Sequence, residues 1–341
     1  MSTYALLAHP GHNKVYFEQS QPLHLMELQA VSGNQCEDAV WQTLGGIPWL
    51  TFRCEDMDED LRRRLEGLSF CYGLFKQKGG ALTPLEPVLR RYLDGGMATM
   101  LKYSGKTNEQ FTALMINLAA SLCRTGSPRL KLLDPMSGKG TTLWEALSRG
   151  MDAAGVEVNG AWHQEASNYA IKFFENAHLK HKAERSSVPG EKGKRLADVL
   201  TVRFADSRQA WEAEEAHALT LVNADSQQAH RCFKHGSFDI LVADLPYGVQ
   251  HRAAPGGKSG KQSVDGADAL LNAVLPAWVA VLKPGGAAVF SFNTHTLGRD
   301  AAAALCTRHG LQPMDQPPYG GYAHRVDQGI RRDLVAAVKA E

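Results

Sequence analysis

Short apolar runs bounded by turn residues punctuate the chain from residue 130 onward: Leu130 to Leu133, Ala153 to Val156, Leu219 to Asn223, Phe238 to Ala243 and Ala287 to Phe292. The run Phe238 to Ala243 is apolar at every second and every intervening position except Asp239, which predicts a parallel strand buried on both faces. Helical patterns fall between the runs, at Leu143 to Arg149 and Gln227 to Phe233, and a longer one, Glu109 to Cys123, precedes them behind a Thr107 or Asn108 cap. The segment Arg331 to Val338 predicts an edge strand. Strands alternating with helices predict an α/β fold, a doubly wound sheet with ligands at the strands' carboxyl ends.

Ahead of this lies a second, smaller α/β pattern: strands at Tyr4 to Ala8, Ile47 to Cys54 and Phe70 to Phe75, with helices at Ser20 to Leu28, Asp58 to Leu68 and Leu85 to Leu93. Gly95-Gly96 closes it, so domains are expected at 1–100 and 101–341, with the smaller one a candidate for holding substrate. Two basic, breaker-rich segments, 180–195 and 250–262, read as solvated loops. The second carries His251, Arg252, Lys258 and Lys261, and could clamp a phosphate backbone.

Composition narrows the class only modestly. Thirty-seven Lys and Arg against 36 Asp and Glu give a net charge of +1, which neither forces nor excludes nucleic acid. Six cysteines are scattered without a CxxC pair, as expected of reduced thiols in a cytoplasmic protein. The start, MSTYALLAHPG, is too briefly apolar for a signal peptide, and no membrane span is expected. His9-x-x-His12 and His178-x-x-His181 lack further ligands, so no metal is expected.

The chemistry concentrates in two half-sites. Asp244-Leu245-Pro246-Tyr247-Gly248 follows the Phe238 strand. Asp244 and the Leu245 carbonyl can each accept an N–H from an exocyclic amine while Tyr247 stacks on its ring. Pro246 biases Leu245 away from helical angles and so fixes that carbonyl. Upstream, the loop Asp134, Pro135, Met136, Ser137, Gly138, Lys139, Gly140, Thr141 joins a strand to a helix, and Glu157 follows Gly140 by seventeen residues, placed for ribose hydroxyls. Lys139 is followed by Gly140 rather than Ser or Thr, which sets aside a Walker-type loop, and Leu143 at the third-glycine position weakens a dinucleotide site. A nucleoside lacking pyrophosphate fits what remains, which points to S-adenosylmethionine. Asp225 can accept from its adenine amine, or cap the next helix; Asp206 competes for that role.

DPMSGKGTT, GVEVN, VNADS and DLPYG stand in the order of class I methyltransferase motifs, and with LKYSGKTNEQFTALMINLA at 101–119 the chain resembles the RNA methylase family whose THUMP-containing relatives make N2-methylguanosine in tRNA. The resemblance covers about 101–341 and implies a Rossmann-like enzyme that methylates an exocyclic amine, guanine N2 in tRNA or other RNA foremost. Leu245 departs from the commoner D/N-P-P-Y, and no THUMP domain is evident at the N-terminus. Glutamine amide or adenine N-methylation remains open, as does a non-catalytic RNA-binding role.

Overall fold

The computed structural model describes residues 1–9, 14–93, 96–99, 108–246, 266–326 and 329–340. The expected boundary at residue 100 lies outside them. The first part contains β1 (Ser2–Ala8), α1 (Lys14–Ser32), β2 (Glu37–Leu44), β3 (Ile47–Cys54), α2 (Glu59–Glu66), β4 (Cys71–Lys78) and β5 (Ala81–Pro84). Its five strands form one antiparallel sheet, β2-β3-β1-β4-β5. Tyr4, Leu6, Leu50, Phe52 and Leu74 on one sheet face form a core with Phe17 and Leu28 of α1 and Leu61 and Leu65 of α2.

Three expectations fail here for identifiable reasons. Helix α1 starts before Ser20 and holds Pro22 in its interior, because buried Phe17 packs edge-on against Trp41 and anchors an extra amino-terminal turn. Residues 85–93 form no helix: Val88 N and Leu89 N donate instead to Glu66 Oε2, at 2.8 and 2.7 Å. Strands β2 and β5 were absent from the sequence pattern. Each belongs to a hairpin closed by a Gly-Gly pair with positive φ, Gly45-Gly46 and Gly79-Gly80, the backbone geometry that right-twisted strands favour.

The second part contains α3 (Gly96–Thr99), α4 (Glu109–Leu122), β6 (Lys131–Asp134), α5 (Thr141–Ser148), β7 (Asp152–Glu157), α6 (Gly160–Asn176), β8 (Lys180–Pro189), β9 (Arg195–Ala205), α7 (Arg208–Glu212), β10 (His217–Asn223), α8 (Ala229–Cys232), β11 (Phe238–Asp244), α9 (Ala267–Val281), β12 (Leu282–Asn293), α10 (Arg299–Arg308), β13 (Leu311–Pro313), β14 (His324–Arg325) and β15 (Arg331–Lys339). The sheet order is β13-β15-β12-β11-β6-β7-β10-β9-β8, with β14 paired to β15. Strands β12, β11, β6, β7 and β10 run parallel, and the flanking strands antiparallel. Helices α4, α5 and α6 cover one face, and α9 and α10 the other. This is the α/β, Rossmann-like doubly wound architecture. Because the chain turns from β6 to β7 on one side and reaches β11 on the other, the strand order reverses between β6 and β11, where such sheets leave a crevice.

Segment 180–195, expected as a loop, is strand β8 with its turn into β9. Strand β15 lies between β12 and β13 and is no edge, because its run Leu334 to Ala337 is buried on both sides. The two parts join through buried polar groups: Asn117 of α4 donates to Glu27 Oε1 (2.6 Å) and to the Gly67 carbonyl (2.9 Å), and accepts from Arg149 (2.6 Å). Among the described residues no helix is long and apolar enough to cross a membrane.

Candidate active site

The loop leaving β6 is built by its own short-range bonds. Asp134, buried at the strand end, accepts from Met136 N at 3.0 Å, and Ser137 N donates to the Val156 carbonyl at 2.9 Å. Gly140 caps α5 with φ +93°, and a Cβ there would fall 2.6 Å from the Trp144 ring. Gly138, at φ +53°, has open space where a side chain would stand, and its N–H donates to Glu157 Oε2 at 2.8 Å. The other Glu157 oxygen accepts from Asn159 N at 2.7 Å, so one buried carboxylate joins the loop to the end of β7. Pro135 and Thr141 are buried within this turn, and Lys139 pairs with Glu165 at 2.7 Å.

Asp225 follows β10, is exposed, and caps the next turn by accepting from Gln227 N at 2.8 Å. Both readings of Asp225 are thus compatible. Asp206 lies elsewhere: β9 is antiparallel to β10 and pairs Phe204 with His217, which puts Asp206 near the amino end of β10. It is at the far edge of the sheet from Glu157 and Asp225.

Asp244 ends β11 beside this loop. Ser291 of β12 donates its hydroxyl to Asp244 Oδ1, and Arg332 of β15 sits 3.8 Å from Oδ2 with its guanidinium 4.6 Å above the Phe111 ring. Leu245 is buried and donates its N–H to the Ser291 carbonyl at 2.9 Å, which fixes that peptide, whereas Pro246 is exposed. Tyr247, Gly248 and segment 250–262 lie outside the described residues. Burial pushes the Asp134 carboxyl up to about 7; the nearby charges of Asp244 and Glu157 reinforce this, and hydrogen bonds from Thr142 and Met136 N oppose it.

Sequence reading missed three residues at this rim. Ser291 interrupts an apolar run, and a polar residue in a doubly buried strand is a signal that it has a specific partner. Arg332 gave no local signal, because its contact to Asp244 depends on sheet order. Val158 follows Glu157 and is 67% exposed, an apolar surface beside the carboxylate. Among the described residues no His, Cys, Asp and Glu cluster is arranged to hold a metal ion.

The chain aligns with solved methyltransferases, all at TM-scores below 0.5. A TehB-like S-adenosylmethionine-dependent methyltransferase from Corynebacterium glutamicum aligns at 15% identity and TM-score 0.35, over 63% of this chain and 83% of that one. A 1,6-didemethyltoxoflavin-N1-methyltransferase from Burkholderia thailandensis, solved with S-adenosylhomocysteine, aligns at 15% identity and TM-score 0.34, over 62% and 72%. A candidate RNA methyltransferase from Pyrococcus horikoshii aligns at 13% identity and TM-score 0.39, over 72% and 96%. The comparison with curated proteins gave no match. Residues 105–304, more than half of the chain, match the profile of the RMKL-like methyltransferase domain. The chain belongs to this family, UPF0020, and is an enzyme that uses S-adenosylmethionine as its cofactor.

Proposed function

We propose that this enzyme methylates an exocyclic amine of RNA, guanine N2 with tRNA as the foremost substrate, at the crevice between β6 and β11. The observation that carries this reading is the Asp244 carboxylate, fixed at the rim of β11 by Ser291 and Arg332 and directly beside the Asp134 to Thr141 loop. The residues fit the cofactor. Gly138 leaves room for close approach, the Glu157 carboxylate stands at the end of β7 where ribose hydroxyls would lie, Val158 offers an apolar surface for adenine, and Asp225 is exposed to accept its amine. When bound, S-adenosylmethionine supplies a methyl group already activated by its sulfonium.

This chain's own work is therefore orientation. An aryl amine is a poor nucleophile because its lone pair is delocalised into the ring. Donating its two N–H groups to Asp244 and to the Leu245 carbonyl turns that lone pair toward the methyl carbon, and positioning of this kind supplies most of the rate. Once methylated, the amine nitrogen would carry positive charge and a surplus proton next to Asp244, which would take that proton and pass it to solvent. Asp244→Ala should keep cofactor affinity and lose on the order of 10²–10³ in transfer rate. Calorimetry with S-adenosylhomocysteine and a tRNA methylation assay separate the two effects. Parallel loss of both would mean that Asp244 supports the fold and not the acceptor.

A further inference from the structure

The segment 180–195 holds six Lys and Arg against two Glu, a net of +4 in a chain whose total is +1. Its strand β8 is exposed at almost every position, so apolar burial does not explain it. Lysines on an edge strand guard against unwanted pairing, and that alone could account for Lys180 and Lys182. It does not account for the turn. The register aligns Ser187 with Asp198, and Asp198 with Asn223 at the carboxyl end of β10. Residues 188–197 therefore project past that end by roughly 10 Å, at about 3.3 Å per residue. The overhang is on the same edge of the sheet as Glu157, Asp225 and Asp244.

This projecting turn is ordered and basic. Gly190 N donates to the Lys194 carbonyl at 2.7 Å and Lys194 N to the Glu191 carbonyl at 3.0 Å, while Val188 packs against the core below. Lys192, Lys194 and Arg195 are exposed on it. Arg195 pairs with Asp198 at 2.7 Å and Arg231 of α8 approaches Glu191 at 3.8 Å, so the acidic groups nearby are already matched. Among the described residues Lys192 and Lys194 have no carboxylate partner.

We infer that the β8–β9 turn is a docking surface for the phosphodiester backbone of the RNA substrate, with Lys192, Lys194 and Arg195 as its phosphate contacts; this rests on the reading of RNA as substrate. Strands β8 and β11 are five steps apart in the sheet, about 24 Å at 4.8 Å per step before twist. A nucleoside in the crevice cannot touch both, whereas a folded RNA can. The turn then orients a polymer and carries no base recognition.

The test is equilibrium binding of total deacylated tRNA by the full-length protein between about 50 and about 200 mM salt, with Lys192, Lys194 and Arg195 replaced together by Ala. Three lost phosphate contacts should lower the slope of log affinity against log salt by about 2–3. S-adenosylhomocysteine binding should be unchanged, and KM for tRNA should rise on the order of tenfold with kcat retained. An unchanged slope and KM in a variant that still binds the cofactor would overturn the docking surface alone. If wild-type protein neither binds nor methylates tRNA, the RNA reading itself falls. If polyglutamate binds as well as tRNA and loses as much in the variant, the surface serves acidic proteins instead.

Discussion

Asp134→Asn should stabilise the cofactor-free protein above neutral pH while weakening its hold on S-adenosylmethionine. The carboxyl is buried at the end of β6 with Asp244 and Glu157 nearby, and burial is the main reason it is pushed up from 3.8 to about 7. At about 1.4 kcal/mol per pH unit, that rise corresponds to about 4 kcal/mol of cost for ionising it in the fold, and about 2–4 kcal/mol after relaxation. The sign follows from proton binding. Between pH 4 and pH 7 the folded state holds this proton more tightly than the unfolded chain, so stability contributed here declines as pH rises through about 7. Asn cannot ionise and escapes the decline, and its amide oxygen can still accept from Met136 N. Urea unfolding without cofactor should show only a small difference between variant and wild type near about pH 4, growing to a gain of a few kcal/mol near about pH 8.5. Cofactor titration should show the opposite trend, because the ionised carboxylate is complementary to the positive cofactor. Equal stability differences at both pH values, or tighter cofactor binding by the variant, would refute the reasoning.

Two further substitutions probe the scaffold. Asp239, fully buried at the start of β11, receives Lys283 Nζ (2.7 Å), Thr125 Oγ1 (2.6 Å), Ser127 Oγ (2.5 Å) and Lys131 N (2.8 Å), and these bonds hold its carboxyl below the usual range although burial alone would raise it. Asp239→Ala should cost about 3–5 kcal/mol at neutral pH, and wild-type protein should lose this contribution only as acid takes the pH below about 4, which urea titrations across pH would show. Gly140→Ala should distort the loop, since its φ is +93° and the new Cβ would meet Trp144 at 2.6 Å; calorimetry should find cofactor binding reduced while far-ultraviolet circular dichroism stays native.

Much of the site was legible because buried parallel strands leave a strong local signature. The runs ending at Leu133, Val156, Asn223 and Ala243 bring Asp134, Glu157, Asn223 and Asp244 to one edge once the sheet is doubly wound, and all four do end strands there. What escaped the sequence depends on partners far along the chain. Ser291 and Arg332 meet Asp244 only through the order β15-β12-β11, and Asp206 stands at the opposite end of the sheet from Asp225 only because β9 runs antiparallel. Strand β8 carries no apolar alternation, so nothing local distinguishes it from a loop; its ladder with β9 supplies the order. Pro22 failed as a start signal because packing of Phe17 outweighs one lost helical hydrogen bond. The Gly-Gly pairs at 45–46 and 79–80 were readable as hairpin turns, and the flanking strands were overlooked for their exposed, polar positions.

The most direct measurement incubates purified enzyme and methyl-labelled S-adenosylmethionine with total tRNA, and in parallel with a protein extract freed of nucleic acid, followed by digestion and mass spectrometry. The expected result is label in N2-methylguanosine from tRNA, absent with Asp244→Ala. Label confined to protein glutamine, to N6-methyladenosine, or to neither fraction would contradict guanine N2 as the acceptor.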